Sequence, residues 1–171
     1  NIYTGSGSLG YTNAPKKKPE DVRLKDMWGF ADAQEFSSVS PEMFEEFVIA
    51  NQKIGLNLFG KGCYGCCEPL DTKIELLRQI PNLRKISISP WADVNAAAEK
   101  ISRDYVLSAK PSPTNVVSAA STPDLIRSEL SEILRACERS HCPTEILLKD
   151  ISTVGHRLDN LITWERIAMG M

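Results

Sequence analysis

Three of the five cysteines lie in the stretch KGCYGCCEPL, at Cys63, Cys66 and Cys67. Thiolates bind borderline-soft metal ions and attack electrophiles, whereas protonated cysteines also serve as small apolar residues in buried strands. Because side chains of an extended strand alternate between faces, Cys66 and Cys67 can ligate one ion only if the backbone turns, which Gly65 and Pro69 would permit. A redox pair is disfavoured, since the next helix begins beyond both Cys63 and Cys66. The stretch therefore predicts either thiolates that contact a metal or substrate, or a buried structural strand.

Other ionisable residues also follow predicted strands. Parallel strands of an α/β sheet end on one side, so the groups that follow them converge there, and this convergence indicates an active site. The residues are Asp32 and Glu35 after the first strand, Glu68 after the second, Trp91 and Asp93 after the third, Lys110 after the fourth, Lys149 and Asp150 after the fifth, and His156 at the start of the last helix.

Strands that alternate with helices are predicted near residues 27–33, 61–66, 84–89, 104–108 and 145–150. N-cap signals at Ser40, Asp93 and Thr122 mark the starts of three helices. This alternation indicates an α/β fold with a parallel sheet covered by helices. Two architectures fit it: part of a TIM-type (βα)8 barrel, whose usual length is about 250 residues, or a five-stranded doubly wound sheet.

The composition limits the class of protein. The 171 residues are 42% hydrophobic and 25% charged, which is ordinary for one globular domain. A net charge of −2 gives no basic surface for nucleic acid, and no apolar run approaches the ~18 residues that indicate a membrane span. Five clustered cysteines argue against a secreted disulfide framework, so we expect a reducing, cytoplasmic protein. Residues 1–26, with lysines at 16, 17 and 18, are predicted to be an irregular arm before a domain over 27–171.

Five segments of the sequence share a combined pattern with a known family: SPEMFEEFV, YGCCEPLD, NLRKISISPWAD, DYVLSAKPSP and EILLKDISTV. Over residues 24–171 the chain resembles the uroporphyrinogen decarboxylase superfamily, especially its decarboxylase-like bacterial members. The resemblance implies that the chain forms the C-terminal five units of a (βα)8 barrel. Decarboxylases of this superfamily remove carboxyl groups from a tetrapyrrole without a cofactor. Its cobamide-dependent methyltransferases bind zinc through a His-x-Cys strand end and a later cysteine.

The resemblance aligns that zinc-binding strand end with Tyr64-Gly65-Cys66 or, shifted by one residue, with Gly65-Cys66-Cys67; cysteine is present in both alignments and histidine in neither. It implies a zinc-assisted methyltransferase that acts with a thiol acceptor or with a corrinoid supplied by a partner protein. The candidate metal ligands are Cys66, Cys67, Glu68 and His156; the candidate catalytic residues are Asp32, Glu35, Lys149 and Asp150; the candidate substrate-binding residues are Tyr64, Trp91 and Lys110.

Two other functions stay open. A metal-free decarboxylase or lyase would use Asp32, Lys110 and Lys149 to position a small carboxylated substrate. A non-enzymatic, doubly wound module that carries a corrinoid is the third alternative, although neither histidine lies in an Asp-x-His-x-x-Gly loop. Five units of an eight-unit barrel leave two open strand edges, so we also expect self-association or a longer natural chain.

Overall fold

The computed structural model describes residues 17–118 and 121–171. Most of the predicted arm, including Lys16, lies outside the described residues. Its remaining part, residues 17–26, forms two short 3-10 turns at Pro19–Asp21 and Leu24–Asp26. A salt bridge of 2.8 Å between Lys17 Nζ and Asp26 Oδ1 joins the two ends of this segment.

The five predicted strands are confirmed, with somewhat different ends. They are β1 (Trp28–Ala31), β2 (Lys61–Tyr64), β3 (Leu83–Ile88), β4 (Val106–Ala109) and β5 (Thr144–Ile146). Every neighbouring pair is parallel, and the strands lie in the order β1-β2-β3-β4-β5. The chain is therefore an α/β protein of parallel (βα) units.

The strand order can be compared with the two expected architectures. A doubly wound sheet reverses its strand order at a switch point, from which the chain builds outward in both directions. In the described part of the chain the order follows the sequence without a reversal, as it does along the wall of a barrel. The five strands form an open sheet among these residues, with β1 and β5 at its edges.

Three helices begin at the predicted caps, whereas the helix after β2 begins at Ile74, later than its predicted start near Leu70. The helices are α1 (Pro41–Phe44), continued by a π-helical turn (Glu45–Ile49) into α2 (Ala50–Leu56), then α3 (Ile74–Leu77), α4 (Val94–Ile101), α5 (Thr114–Val117), α6 (Pro123–Arg139) and α7 (Leu158–Met169). Side-chain oxygens of Ser40, Asp93 and Thr122 accept hydrogen bonds from first-turn N–H groups, which confirms all three caps. Within residues 17–118 and 121–171, no helix is both long and apolar enough to cross a membrane.

The sheet has two chemically different faces, because successive strand residues point to opposite sides. One face packs against the helices and holds buried apolar residues such as Tyr64, Ile86 and Leu107. The opposite side, which we call the polar face, presents the residues in alternation with these. It includes Cys63, Lys85, Ser87, Ser108 and Glu145.

Candidate functional site

The loop after β2 turns at a glycine and brings two thiols together. Gly65 has a φ of 96°, in the region that disfavours residues with a Cβ, and a Cβ there would lie 2.5 Å from Leu70 Cδ1. Beyond this turn the Cys66 and Cys67 sulfurs lie 3.6 Å apart. The condition set by the sequence, a backbone turn at Gly65, is therefore met, and the two side chains do not alternate as they would in a strand.

Lys149 and Asp150 reach the same place from the segment after β5. Lys149 Nζ lies 3.1 Å from Cys67 Sγ, 3.5 Å from Cys66 Sγ and 2.6 Å from Asp150 Oδ2. Asp150 has a φ of 61°, an uncommon conformation for a residue with a side chain. We call these four residues the thiol cluster.

Burial and neighbouring charges have opposite effects on the pKa values of Lys149 and Cys67. Burial disfavours the ammonium of Lys149, but hydrogen bonds to Asp150 and Cys67 outweigh it and raise the Lys149 pKa above its usual range. Burial raises the pKa of Cys67, although the hydrogen bond from Lys149 acts in the opposite direction. Lys149 therefore remains a cation at neutral pH beside the Cys67 thiol, which is mostly protonated.

A second group of polar residues runs across the polar face. Lys85 Nζ lies 2.9 Å from Glu145 Oε2, and Ser108 Oγ donates a hydrogen bond of 2.7 Å to Glu145 Oε1. Lys110 Nζ donates to Ser108 Oγ and, at 3.4 Å, to the Ser108 carbonyl oxygen. Lys85 and Lys110 are each only 3% exposed. We call Lys85, Ser108, Lys110 and Glu145 the lysine network.

The protonation of Lys110 is shifted by its surroundings. Burial lowers its pKa to about 8, and the positive charges of Lys149 and Lys85 lower it further. Cys63 and Glu145 have the opposite effect and raise it. Burial also raises the pKa of the Cys63 thiol to about 12, so that thiol stays protonated. An amine with a pKa near 8 is partly neutral at physiological pH and can act as a base or a nucleophile.

A cavity of about 350 Å³ lies at the carboxyl ends of β3 and β4, between α4 and α6. Its lining includes Ser89, Pro90, Asp93, Lys110, Glu129 and Glu132. The Ser89 hydroxyl is buried and has no hydrogen-bond partner among the described protein atoms. Asp93 is committed to capping α4, and Glu129 accepts hydrogen bonds from the Ser112 N–H and from Asn115 Nδ2.

The acids predicted after β1 and β2 lie near one another, and one of them, Glu68, is next to the thiol cluster. The buried Glu68 carboxylate accepts hydrogen bonds of 3.0 Å from the backbone N–H groups of Ala33 and Cys66, and so joins the two loops. Burial raises the pKa of Asp32, and the negative charges of Glu68 and Glu35 add to this effect. Glu35 is exposed.

The predicted zinc ligands do not assemble. Glu68 is engaged with two backbone N–H groups, and His156 is exposed in the turn before α7. Among residues 17–118 and 121–171, no three or more His, Cys, Asp or Glu residues are arranged to hold a metal ion. Cys66 and Cys67 supply two sulfurs, whereas a structural zinc ion takes four ligands and a catalytic one takes three from the protein. Among the described residues, the thiol cluster therefore supplies two of the ligands that a zinc ion needs.

Two predicted substrate-binding residues, Tyr64 and Trp91, belong neither to the thiol cluster nor to the lysine network. Tyr64 is fully buried on the helix-covered face, where its ring packs edge-on against Phe44 with centroids 6.3 Å apart. Its pKa is raised by burial, and its hydroxyl has no hydrogen-bond partner in the described structure. Trp91 is 74% exposed in the loop between β3 and α4. The third, Lys110, belongs to the lysine network.

Three members of the lysine network were not predicted: Lys85, Ser108 and Glu145. The sequence does hold a signal for them. Strands of an all-parallel sheet buried on both faces are expected to be continuous apolar runs. In LRKISIS polar residues instead occupy every second position, and in DYVLSAK they do so except at Val106, which indicates that one face of these buried strands is polar.

No protein-family model, curated protein or solved structure matches the chain.

Proposed function

We propose that the chain is a cofactor-independent lyase that removes a carboxyl group from a small carboxylated substrate. The observation that carries this proposal is Lys110, a buried lysine of lowered pKa at the carboxyl end of a parallel sheet. We further propose that the sheet belongs to a (βα)8-type barrel, since its strand order follows the sequence and side chains from the non-adjacent strands β3 and β5 meet across β4.

The balance of charge supports an anionic substrate. Lys85 is paired with Glu145, and Lys149 is paired with Asp150. In the described part of the chain Lys110 makes no salt bridge, and its hydrogen bonds go to a neutral serine. A buried cation without a carboxylate partner is costly, and a bound carboxylate would relieve that cost.

The lysine network also supplies what decarboxylation requires of a protein. Loss of CO2 leaves an electron pair on carbon, which a nearby positive charge stabilises and which a proton must then quench. Lys110 can hold the positive charge, and Ser108 connects it to the carboxylate of Glu145 through hydrogen bonds. Lys149, from the thiol cluster, is the second cation at the same end of the sheet.

A direct test measures CO2 release from a panel of small di-, tri- and oxo-carboxylates. Lys110→Met should lower kcat/KM by at least ~100-fold, a typical size for loss of an acid–base group. Lys53→Met, at an exposed position of α2, is the matched control and should leave the rate unchanged. Equal rates for wild type and Lys110→Met would overturn the proposal.

The second candidate is methyl transfer to a thiol or corrinoid acceptor, with zinc on the thiol cluster. One observation favours it: the 3.6 Å between the two sulfurs is close to the separation of two thiolates on one tetrahedral zinc ion with bonds of ~2.3 Å. Zinc analysis of protein prepared with excess metal tests this candidate. About one equivalent in wild type and none in Cys66→Ser would favour it over the metal-free lyase.

A further inference from the structure

We propose that Lys110 acts covalently, its amine condensing with the ketone of a 3-oxo carboxylate to form an imine. This inference rests on the proposed lyase function and names its substrate class. A ketone placed two carbons from the carboxylate carbon lets an imine accept the electrons that CO2 leaves behind. Neither the thiol cluster nor the acids after β1 offer an electron acceptor of this kind.

The backbone holds Lys110 in a fixed position. Its N–H donates a hydrogen bond of 2.9 Å to the Ile88 carbonyl oxygen, which extends the parallel pairing of β3 and β4 by one residue. Ser89 is therefore the residue beside Lys110 in the neighbouring strand. Both residues belong to the lining of the 350 Å³ cavity, and the Ser89 hydroxyl, which has no partner among the described protein atoms, is available to a substrate oxygen.

The groups around Lys110 favour the nucleophilic form of the amine. Lys85 from β3 and Lys149 from the segment after β5 disfavour a third positive charge, and burial disfavours it further. Cys63 from β2 and Glu145 from β5 act in the opposite direction, but the net result is a pKa of about 8. Desolvation and neighbouring cations are the two usual means of activating a lysine towards carbonyl compounds.

A proton route leads away from the amine. Lys110 Nζ donates to Ser108 Oγ, and Ser108 Oγ donates to Glu145 Oε1. When the amine attacks the ketone, its surplus proton can pass along these bonds to the Glu145 carboxylate. Glu145 can return it to the carbinolamine oxygen, and a second proton, from solvent, lets that hydroxyl leave as water.

The complete cycle balances without an oxidant or a reductant. The neutral amine, the ketone and one proton from solvent form a protonated imine and release one water molecule. The bond between the α-carbon and the carboxylate then breaks, its electron pair moves toward the imine nitrogen, and CO2 and an enamine result. Protonation of the enamine carbon and addition of one water molecule release the shortened ketone and restore the amine.

The test is reductive trapping of the whole chain with acetoacetate and sodium cyanoborohydride, followed by peptide mapping. Lys73 is an internal control, because it is also buried and its pKa is also lowered by burial, yet it donates to the Phe36 and Ser37 carbonyl oxygens away from the polar face. We expect an adduct on Lys110 in excess of that on Lys73. It should exceed labelling of exposed lysines by on the order of 100-fold near neutral pH, because each unit of pKa changes the neutral fraction tenfold.

Lys110→Arg keeps the charge and removes the nucleophile, so it should lose this adduct, while Lys73→Arg should retain it. The wild-type peptide map decides the matter even if either variant fails to fold. CO2 release that depends on Lys110 without an adduct there would overturn the covalent role and leave the lyase function standing. An adduct spread evenly over the lysines would also overturn it. The absence of both CO2 release and adduct would overturn both proposals.

Discussion

At the level of single residues, Lys110 affects folding as well as chemistry. Its pKa is about 8 in the folded chain, against an ordinary value of 10.5. Between these two values the unfolded chain binds more protons than the folded one, so the free energy of unfolding rises with pH there. Below about pH 8 the whole penalty for burying the ammonium is present.

Lys110→Met should therefore raise the free energy of unfolding at about pH 7 by about 1–3 kcal/mol, because it removes a buried charge. The gain should shrink several-fold by about pH 10, where the wild-type amine is neutral in the folded chain and partly neutral in the unfolded one. Urea unfolding at the two pH values measures the difference, with Lys53→Met as an exposed control. A gain that does not change with pH would show that Lys110 is not buried as a costly cation.

The five cysteines should also differ in reactivity. Cys63, Cys137 and Cys142 are buried, and burial raises the pKa of Cys63 to about 12. Cys66 and Cys67 are partly exposed. Iodoacetamide under native conditions should therefore modify two thiols quickly and three slowly, since the reactive species is an accessible thiolate. Mass spectrometry counts them, and rapid modification of Cys63 would contradict the position of β2.

Lys149 provides a sharper version of this test. Its hydrogen bond to the Cys67 sulfur favours the thiolate, so Lys149→Met should slow Cys67 labelling by roughly 2- to 10-fold at a fixed pH. Lys100→Met is a matched control, because Lys100 Nζ donates to the Asp71 carbonyl oxygen and does not contact the thiol cluster. Faster labelling of Cys67 in the Lys149 variant would contradict the proposed contact.

At the level of elements, the glycine after β2 determines where the thiol cluster lies. Gly65 and Gly155 both have positive φ values, 96° and 53°, but only Gly65 is crowded, with Leu70 Cδ1 and the Ser87 carbonyl oxygen near its missing Cβ. Gly65→Ala should lower the free energy of unfolding by about 2–4 kcal/mol, from strain plus overpacking. Gly155→Ala should cost about 1 kcal/mol, from strain alone. Denaturation with urea distinguishes them, and equal costs would argue against the packed turn at Gly65.

The elements themselves were largely predictable from the sequence. Polar caps at Ser40, Asp93 and Thr122 and the alternation of apolar runs are local signals, and both the strands and the helix starts follow from them. The last strand shows the limit of such signals. It was predicted over 145–150 but ends at Ile146, because beyond that point the chain leaves the ladder with β4.

That early end of β5 explains why only part of the candidate site was predictable. Lys149 and Asp150 were expected to be close to the residues after β2, and the structure brings them to Cys67. Their geometry depends on the positive φ of Asp150, which no sequence pattern predicts. Lys85 and Glu145 were not predicted for a different reason: they lie within strands rather than after them, and they meet across β4 on the polar face.

At the level of the whole molecule, an exposed apolar surface lies beside the β1 edge of the sheet. In the described part of the chain β1 pairs only with β2, and β5 only with β4. The helical segment after β1 packs Leu56 over Gly29, but it leaves Phe47, Ile54 and Leu58 exposed at 48%, 67% and 56%. The helical spacing of these residues predicted a helix correctly, but α2 ends at Leu56 and the three side chains stay exposed.

Open strand edges and exposed apolar side chains both favour association, so we expect the 19.0 kDa chain to self-associate in a concentration-dependent manner. Replacing Phe47 and Ile54 together by serine should shift sedimentation towards the monomer by removing apolar contact area. Stability should change little, since neither side chain is buried. Leu125→Ser removes a comparably exposed leucine from α6, at 42%, and should leave association unchanged. A wild-type monomer at every concentration would contradict the expectation, and equal effects of the two changes would place the contact elsewhere on the surface.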